Sequence, residues 1–187
     1  MCIAIVKPLN KRIPVDFLKE GFCSNPHGAG YAVAANGQIA IKKGFFSIEE
    51  FLDSFLEENQ DAPMLVHCRW STHSAQNAKN CHPWQLNNNT ALIHNGVLAG
   101  FTGFHNGLSD TGNFVENIIK PAVSYNPEVW KTPWFTQLLT DAVANNGNKL
   151  AIMDHTGDYA IYGEHLGYWV DGVWFSNRDF EAGKKRK

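Results

Sequence analysis

Apolar and polar positions along this chain fall into short blocks, and their period switches between two and about 3.6 residues. Residues 2–7, Cys-Ile-Ala-Ile-Val-Lys, are an apolar run of strand length that begins at the second residue. Residues 15–22 predict a short helix. Residues 30–35 and 38–42 flank Asn36-Gly37, the pair that favours the positive φ values of a type I′ turn, so they predict a hairpin. Ser47-Ile-Glu-Glu50 reads as a capping box. Ile48, Phe51, Leu52, Phe55 and Leu56 follow it at helical spacing, so that helix should run to about Asn59. Residues 64–70 and 90–98 predict strands, with a polar loop at 71–81 between them. Helices are expected from Asp110 to about Ser124 and from Pro127 to Ala144. Two more hairpins follow, over 150–163 with its turn at Thr156-Gly157-Asp158, and over 168–176 with its turn at Asp171-Gly172.

Strands, a helix, strands, paired helices and strands again predict an α+β domain of mainly antiparallel sheets with helices packed on them. Two sheets between helical layers would use every element, and pattern alone leaves other arrangements open. The 187 residues fit a single domain spanning 1–187, with no repeat and no linker. At 44% hydrophobic and 18% charged, the chain has the balance of a globular protein and not of a disordered one. A net charge of -2 argues against a nucleic-acid partner. The one basic run, Lys184 to Lys187, is expected to be a disordered, solvated tail. The N-terminal apolar run is too short for a membrane span and carries its positive charges on the wrong side for a signal peptide. We therefore expect a cytoplasmic protein with no membrane contact, whose Cys2, Cys23, Cys68 and Cys81 are thiols.

Five short constellations carry candidate chemistry. Cys2 follows Met1, and cysteine is small enough for methionine removal, so processing would give a first residue with both a thiol and a free α-amine. Such an amine titrates near 7.7–8.0 and serves as a general base for the adjacent nucleophile. Taken alone, Cys2 is equally a small residue opening a buried strand. His67-Cys68-Arg69-Trp70-Ser71-Thr72-His73 ends a predicted strand; its guanidinium suits a carboxylate, or is simply solvated. Asn80-Cys81-His82-Pro83 closes a loop with His82 held extended by the proline. His94-Asn95-Gly96 offers an amide and a backbone N–H for an oxyanion hole, or an ordinary Asn-Gly turn. Ser109-Asp110-Thr111 opens a helix, where Asp110 is a partner for an ammonium group or an N-cap.

In this order the five motifs resemble the class II glutamine amidotransferases, such as the glutaminase domains of glucosamine-phosphate synthase and glutamine phosphoribosylpyrophosphate amidotransferase. That pattern is an N-terminal Cys, a Gly-rich turn, His-x-Arg-Trp-x-Thr-His, Asn-x-His-Pro, His-Asn-Gly and Ser/Thr-Asp-Thr, here running from Cys2 to Thr111. Trp174-Phe175-Ser176-Asn177 also resembles the end of such a domain. The resemblance implies the four-layer αββα sandwich of N-terminal-nucleophile hydrolases. It implies Cys2 as nucleophile, with Asn95 and Gly96 holding the oxyanion. It assigns Arg69 to the substrate α-carboxylate and Asp110 to its α-ammonium. Trp70, Thr72, His73 and His94 complete the substrate site, and no metal or cofactor is needed. Glutamate and ammonia would form through a γ-glutamyl thioester.

Two positions depart from the pattern. His27 stands in the turn Asn25-Pro26-His27-Gly28-Ala29-Gly30 where the family has Asp, and Ser74 stands where it has glycine after Thr-His. They bear on the hydrogen bonding of the turn and the closure of the loop, not on the nucleophile. With no synthase region after the glutaminase-like part, two readings stay open. One is an ammonia donor for a separate synthase or ligase chain; the other is a stand-alone hydrolase of another γ-glutamyl amide. A reading of a different class, a zinc module built on His67, Cys68, Cys81 and His82, fits poorly, because adjacent strand residues face opposite ways.

Overall fold

The structure, a computed structural model, describes residues 2–71, 74–104, 106–144 and 147–181, the side chain of Ala144 aside. Its strands are β1 Ile3–Lys7, β2 Ala29–Ala35, β3 Gln38–Phe45, β4 Met64–Cys68, β5 Trp84–Asn87, β6 Thr90–Asn95, β7 Lys149–Asp154, β8 Tyr159–Tyr162, β9 Tyr168–Val170 and β10 Val173–Phe175. The helices are α1 Val15–Ser24, α2 Ile48–Leu56, α3 Asp110–Phe114, α4 Lys120–Tyr125 and α5 Pro133–Ala144, with a π-helical turn at Val115–Ile119 joining α3 to α4. Six strands form one sheet in the order β3-β2-β4-β1-β10-β9, and four form a second in the order β5-β6-β7-β8. Every pairing is antiparallel.

Strand alternation sorts the apolar side chains into three cores. Ile3, Ile5, Tyr31, Val66 and Phe175 point outward against Leu18 and Phe22 of α1 and Phe51 and Phe55 of α2. Their neighbours Ala4, Val6, Ala32, Leu65 and Trp174 point inward and meet Ala91, Ile93, Ala151 and Met153 of the second sheet. Leu92, Leu150 and Ile152 face the other way, against Phe114, Ile119, Val123 and Leu139 of the second helical layer. The result is the αββα sandwich, and small residues on the facing sheets let them pack closely. Lys7 ends β1 fully buried; it donates to Ala62 O, and burial pushes its pKa down to about 8, with Arg12 adding repulsion.

Some expectations shift in detail. Ser47 is the N-cap of α2 and accepts from the Glu49 and Glu50 N–H groups, but Glu49 and not Glu50 bonds the Ser47 hydroxyl, and the helix ends at Leu56. The stretch 127–144 is not one helix: a 3-10 turn at Val129–Lys131 precedes α5, because Pro133 has no N–H to continue a helical ladder. β5 was not anticipated; its four residues are too short a run to show a period. β4 stops at Cys68 and β6 at Asn95, so Arg69, Trp70 and Gly96 lie just past strand ends. The Asn36-Gly37 and Asp171-Gly172 turns form as expected, with φ of 54 and 71 and of 50 and 79.

Candidate active site

The register of the first sheet pairs Ile3 with Cys68, which places Cys2 beside Arg69 at the same end of neighbouring strands. β6 lies beneath them in the second sheet and ends there with His94 and Asn95, with Gly96 following. A cavity of about 350 Å³ opens at this junction. Its walls carry the expected site residues Cys2, Arg69, Trp70, His94, Gly96 and Asp110, together with His67, Ser71, Ser74, His82, Ser109 and Thr111.

Cys2 Sγ receives the Trp70 N–H at 3.2 Å and lies 3.4 Å from Trp70 O. Burial pushes its thiol up from the ordinary range, opposed by the Trp70 N–H and the Arg69 charge. The Cys2 carbonyl accepts from Asn95 Nδ2 and, at 2.8 Å, from Asn177 Nδ2. Asn95 Nδ2 also donates to Ser176 Oγ at 2.7 Å, and that hydroxyl takes the Ala4 N–H at 2.9 Å. Both N–H bonds of Asn95 are thus engaged, and its buried Oδ1 has no partner among the described residues.

Gly96 follows with φ of 141, and a Cβ there would lie 1.9 Å from Asn148 Oδ1, so only glycine fits. Among the described residues its N–H takes part in no hydrogen bond of the sheets or turns. The Asn-Gly pair is therefore not a hairpin turn here: β6 continues into the loop before Leu98 and pairs with β5 and β7.

His94 is buried with each of its polar groups matched. Nε2 faces Asn148 Oδ1 at 3.0 Å and so carries the hydrogen; Nδ1 then accepts from the Thr111 hydroxyl at 2.8 Å. Its N–H donates to His82 Nδ1 at 3.3 Å and its carbonyl accepts from His67 Nε2 at 3.0 Å. Burial lowers the pKa of all three histidines, His67 to about 3. They are neutral scaffolding at neutral pH.

Arg69 Nη1 donates to Ala75 O at 3.1 Å, and Nη2 donates to Ser71 Oγ at 3.2 Å and Ser74 Oγ at 2.6 Å. The guanidinium thus organises the loop that follows it. His27 accepts the Ser71 N–H at 3.0 Å on Nδ1 and stacks on Trp70 at 4.6 Å. Asp110 is not the N-cap; Ser109 is, accepting from Gly112 N at 3.1 Å. Asp110 Oδ2 instead accepts the Leu98 N–H at 2.7 Å. Thr72 and His73, expected in the substrate site, lie outside the described residues, as do Met1 and the basic tail.

No protein-family model matches the chain. Glutamine–fructose-6-phosphate aminotransferase (isomerizing) of Corynebacterium glutamicum is 33% identical over 113 residues, 56% of this chain and 18% of that protein. The enzyme of the same name from Pyrococcus horikoshii is 36% identical over 76 residues, 39% of this chain and 12% of that one. In the solved structure of glutamine phosphoribosylpyrophosphate amidotransferase from B. subtilis complexed with ADP and GMP, the match covers 94% of this chain and 41% of that one, with TM-score 0.51 and 19% identity. The chain is similar to the class II glutamine amidotransferases. Its fold is theirs, the N-terminal-nucleophile hydrolase sandwich. The chain spans less than a fifth of the length of the two aminotransferases.

Within this amidotransferase-like domain, sequence reading gave no role to the residues that hold the named ones in place. Asn148, Ser176 and Asn177 reach the site from the last third of the chain, and no local spacing ties them to Cys2. Asn80 belongs to a predicted motif, but its role is visible only here: Nδ2 donates to Gly107 O at 3.0 Å and Oδ1 accepts Ser109 N at 2.8 Å, tying the loop after Arg69 to the segment before α3. The zinc reading has no geometric support. His67 bonds inward to His94 O while Cys68 packs in the outer core, and among the described residues no three His, Cys, Asp or Glu side chains converge on an ion site.

Proposed function

We propose that this chain hydrolyses the side-chain amide of glutamine and releases ammonia, through a γ-glutamyl thioester on Cys2. The observation that carries this reading is a thiol placed in one small cavity with an unengaged Gly96 N–H, the Arg69 cation and the Asp110 carboxylate. After loss of Met1, the Cys2 α-amine takes the thiol proton as Sγ attacks the γ-carbonyl carbon. The oxygen that becomes negative is met by the Gly96 N–H. It also competes with the neutral Ser176 hydroxyl for one N–H of Asn95, and a charged acceptor wins that contest. The C–N bond breaks as the amine returns its proton to the leaving ammonia, and water then cleaves the thioester to give glutamate. Arg69 holds the α-carboxylate and Asp110 the α-ammonium, with Trp70, Thr72 and His73 in the loop over the substrate and His94 beneath it. Ammonia freed into water would be diluted, so an acceptor synthase or ligase is the partner this reading requires.

The test is ammonia release from free glutamine beside a panel of γ-glutamyl amides, with Met1-processed protein. Fast release from glutamine supports the proposal. Slow glutamine turnover with rapid cleavage of a larger γ-glutamyl amide overturns the ammonia-donor reading and leaves a stand-alone hydrolase acting through the same Cys2. No turnover of any γ-glutamyl compound, alone or with a co-purified partner, overturns both.

A further inference from the structure

Asn148 stands immediately before β7, buried, with its N–H closing α5 on Val143 O at 3.2 Å. Its side-chain carbonyl is fixed by the His94 Nε2–H at 3.0 Å, and His94 is fixed in turn by the Thr111 hydroxyl at 2.8 Å. The same oxygen occupies the space where any Cβ on Gly96 would be, 1.9 Å from that position, and Asn148 Cα lies 3.0 Å from it. Gly96 is therefore pressed against the Asn148 carboxamide at a φ of 141, where its own torsional freedom would otherwise be largest. A peptide N–H is aimed by the torsions on either side of it. Asn95 is held by the ladder to β7, and Gly96 by Asn148.

We infer that Asn148 is a positioning residue for the reaction: held by His94 and Thr111, it fixes the Gly96 backbone so that the Gly96 N–H points at the developing oxyanion. This rests on the amidase reading above. The side chain touches no substrate atom in that scheme, since among the cavity walls Gly96, His94 and Thr111 appear and Asn148 does not. Its influence falls on a donor that matters only as charge develops, so it belongs in kcat and not in KM. Full loss of such a donor lowers the rate about 10²–10³-fold. A donor set free to wander is lost only part of the time, which gives a smaller drop.

The test compares wild type, Asn148→Ala, Asn148→Asp and Thr111→Val in the amide-hydrolysis assay, with Gly96 followed by its backbone ¹⁵N–¹H resonance. For Asn148→Ala we expect kcat to fall about 10- to 100-fold with KM changed by less than about threefold, and the Gly96 amide signal to shift or broaden. Asn148→Asp keeps the oxygen that accepts from His94 and fills the same space, so it should recover most of the rate and the signal. Thr111→Val, which removes one link further out, should show a weaker form of the same kcat loss. Wild-type protein that hydrolyses no γ-glutamyl amide refutes the functional reading, and the Gly96 resonance still decides the positioning claim. An active wild type with Asn148→Ala unchanged in kcat and in the Gly96 signal refutes the inference alone. Loss confined to KM, or explained by the unfolded fraction in thermal melts, refutes it as well. If Asn148→Ala does not fold, the kcat, KM and Gly96 signal of Thr111→Val decide.

Discussion

Replacing Asn95 by alanine separates catalytic from structural roles at the site more cleanly than any other single change. The side chain makes two hydrogen bonds, to Cys2 O and Ser176 Oγ. Neither acceptor is orphaned by their loss: Cys2 O keeps the Asn177 amide, and Ser176 Oγ keeps the Ala4 N–H. Each bond is worth about 0.5–1.5 kcal/mol net, and removing the buried, unpartnered Asn95 Oδ1 returns a desolvation penalty of about 1–3 kcal/mol. The two contributions nearly cancel, so the net stability change is within about 1 kcal/mol, a shift of at most about 2–4 °C in unfolding midpoint for a domain of this size. The rate responds on a different scale. If Asn95 supplies one of two oxyanion donors, kcat should fall about 10²–10³-fold, or about 2.7–4 kcal/mol in barrier. Steady-state ammonia release gives kcat and KM, and thermal unfolding gives the stability. Three outcomes refute the reasoning: kcat within about threefold of wild type, a loss wholly in KM, or a midpoint fall so large that unfolded protein explains the lost activity. The second would assign Asn95 to the ground-state substrate.

Other changes probe the rest of the site. Cys2→Ser and Cys2→Ala should abolish turnover while Cys23→Ala, exposed on α1, should not; peptide mapping after a glutamine-like electrophile should find label on Cys2 alone, because, of the four cysteines, Cys2 lines the cavity while Cys68 and Cys81 are buried outside its walls and Cys23 is exposed away from it. Protein that keeps Met1, checked by intact mass, should be inactive, since its Cys2 nitrogen is an amide; for processed protein, kcat/KM should rise with pH through about 7.7–8.0 as the α-amine loses its proton. Arg69→Lys should raise KM at least tenfold, on the order of one lost charge-assisted bond, because one ammonium cannot hold both the loop oxygens of Ser71, Ser74 and Ala75 and a carboxylate. Lys7 is a test of stability: its folded pKa of about 8 lies below the unfolded value, so the folded state sheds this proton first and stability should rise with pH between about 8 and 10.4. Lys7→Met should be flatter than wild type over that window in melting temperature against pH.

Local sequence determined most of the elements and named groups that the fold brings to one cavity. Turn chemistry fixed the hairpins at Asn36-Gly37 and Asp171-Gly172, whose positive φ values only such pairs adopt readily. The apolar run at 2–7 marked a strand, and strand alternation then puts Ile3 and Ile5 on one face and Ala4 and Val6 on the other. The motifs named Cys2, Arg69, His94, Gly96 and Asp110, and all of these line one cavity. Short or broken elements escaped, because β5 has too few residues to show a period and Pro133 divides what hydrophobic spacing joined. What only the tertiary structure decided is how the groups are held. Asn148, Ser176 and Asn177 bind His94, Asn95 and Cys2 across separations of 54, 81 and 175 residues, and no local pattern encodes a hydrogen bond over such distances. The same applies to the engagement of Arg69 with Ser71, Ser74 and Ala75, and to the choice of Ser109 over Asp110 as helix cap. Residue types limit which bonds are chemically available, but donors and acceptors meet only after two sheets have packed and brought their strand ends together.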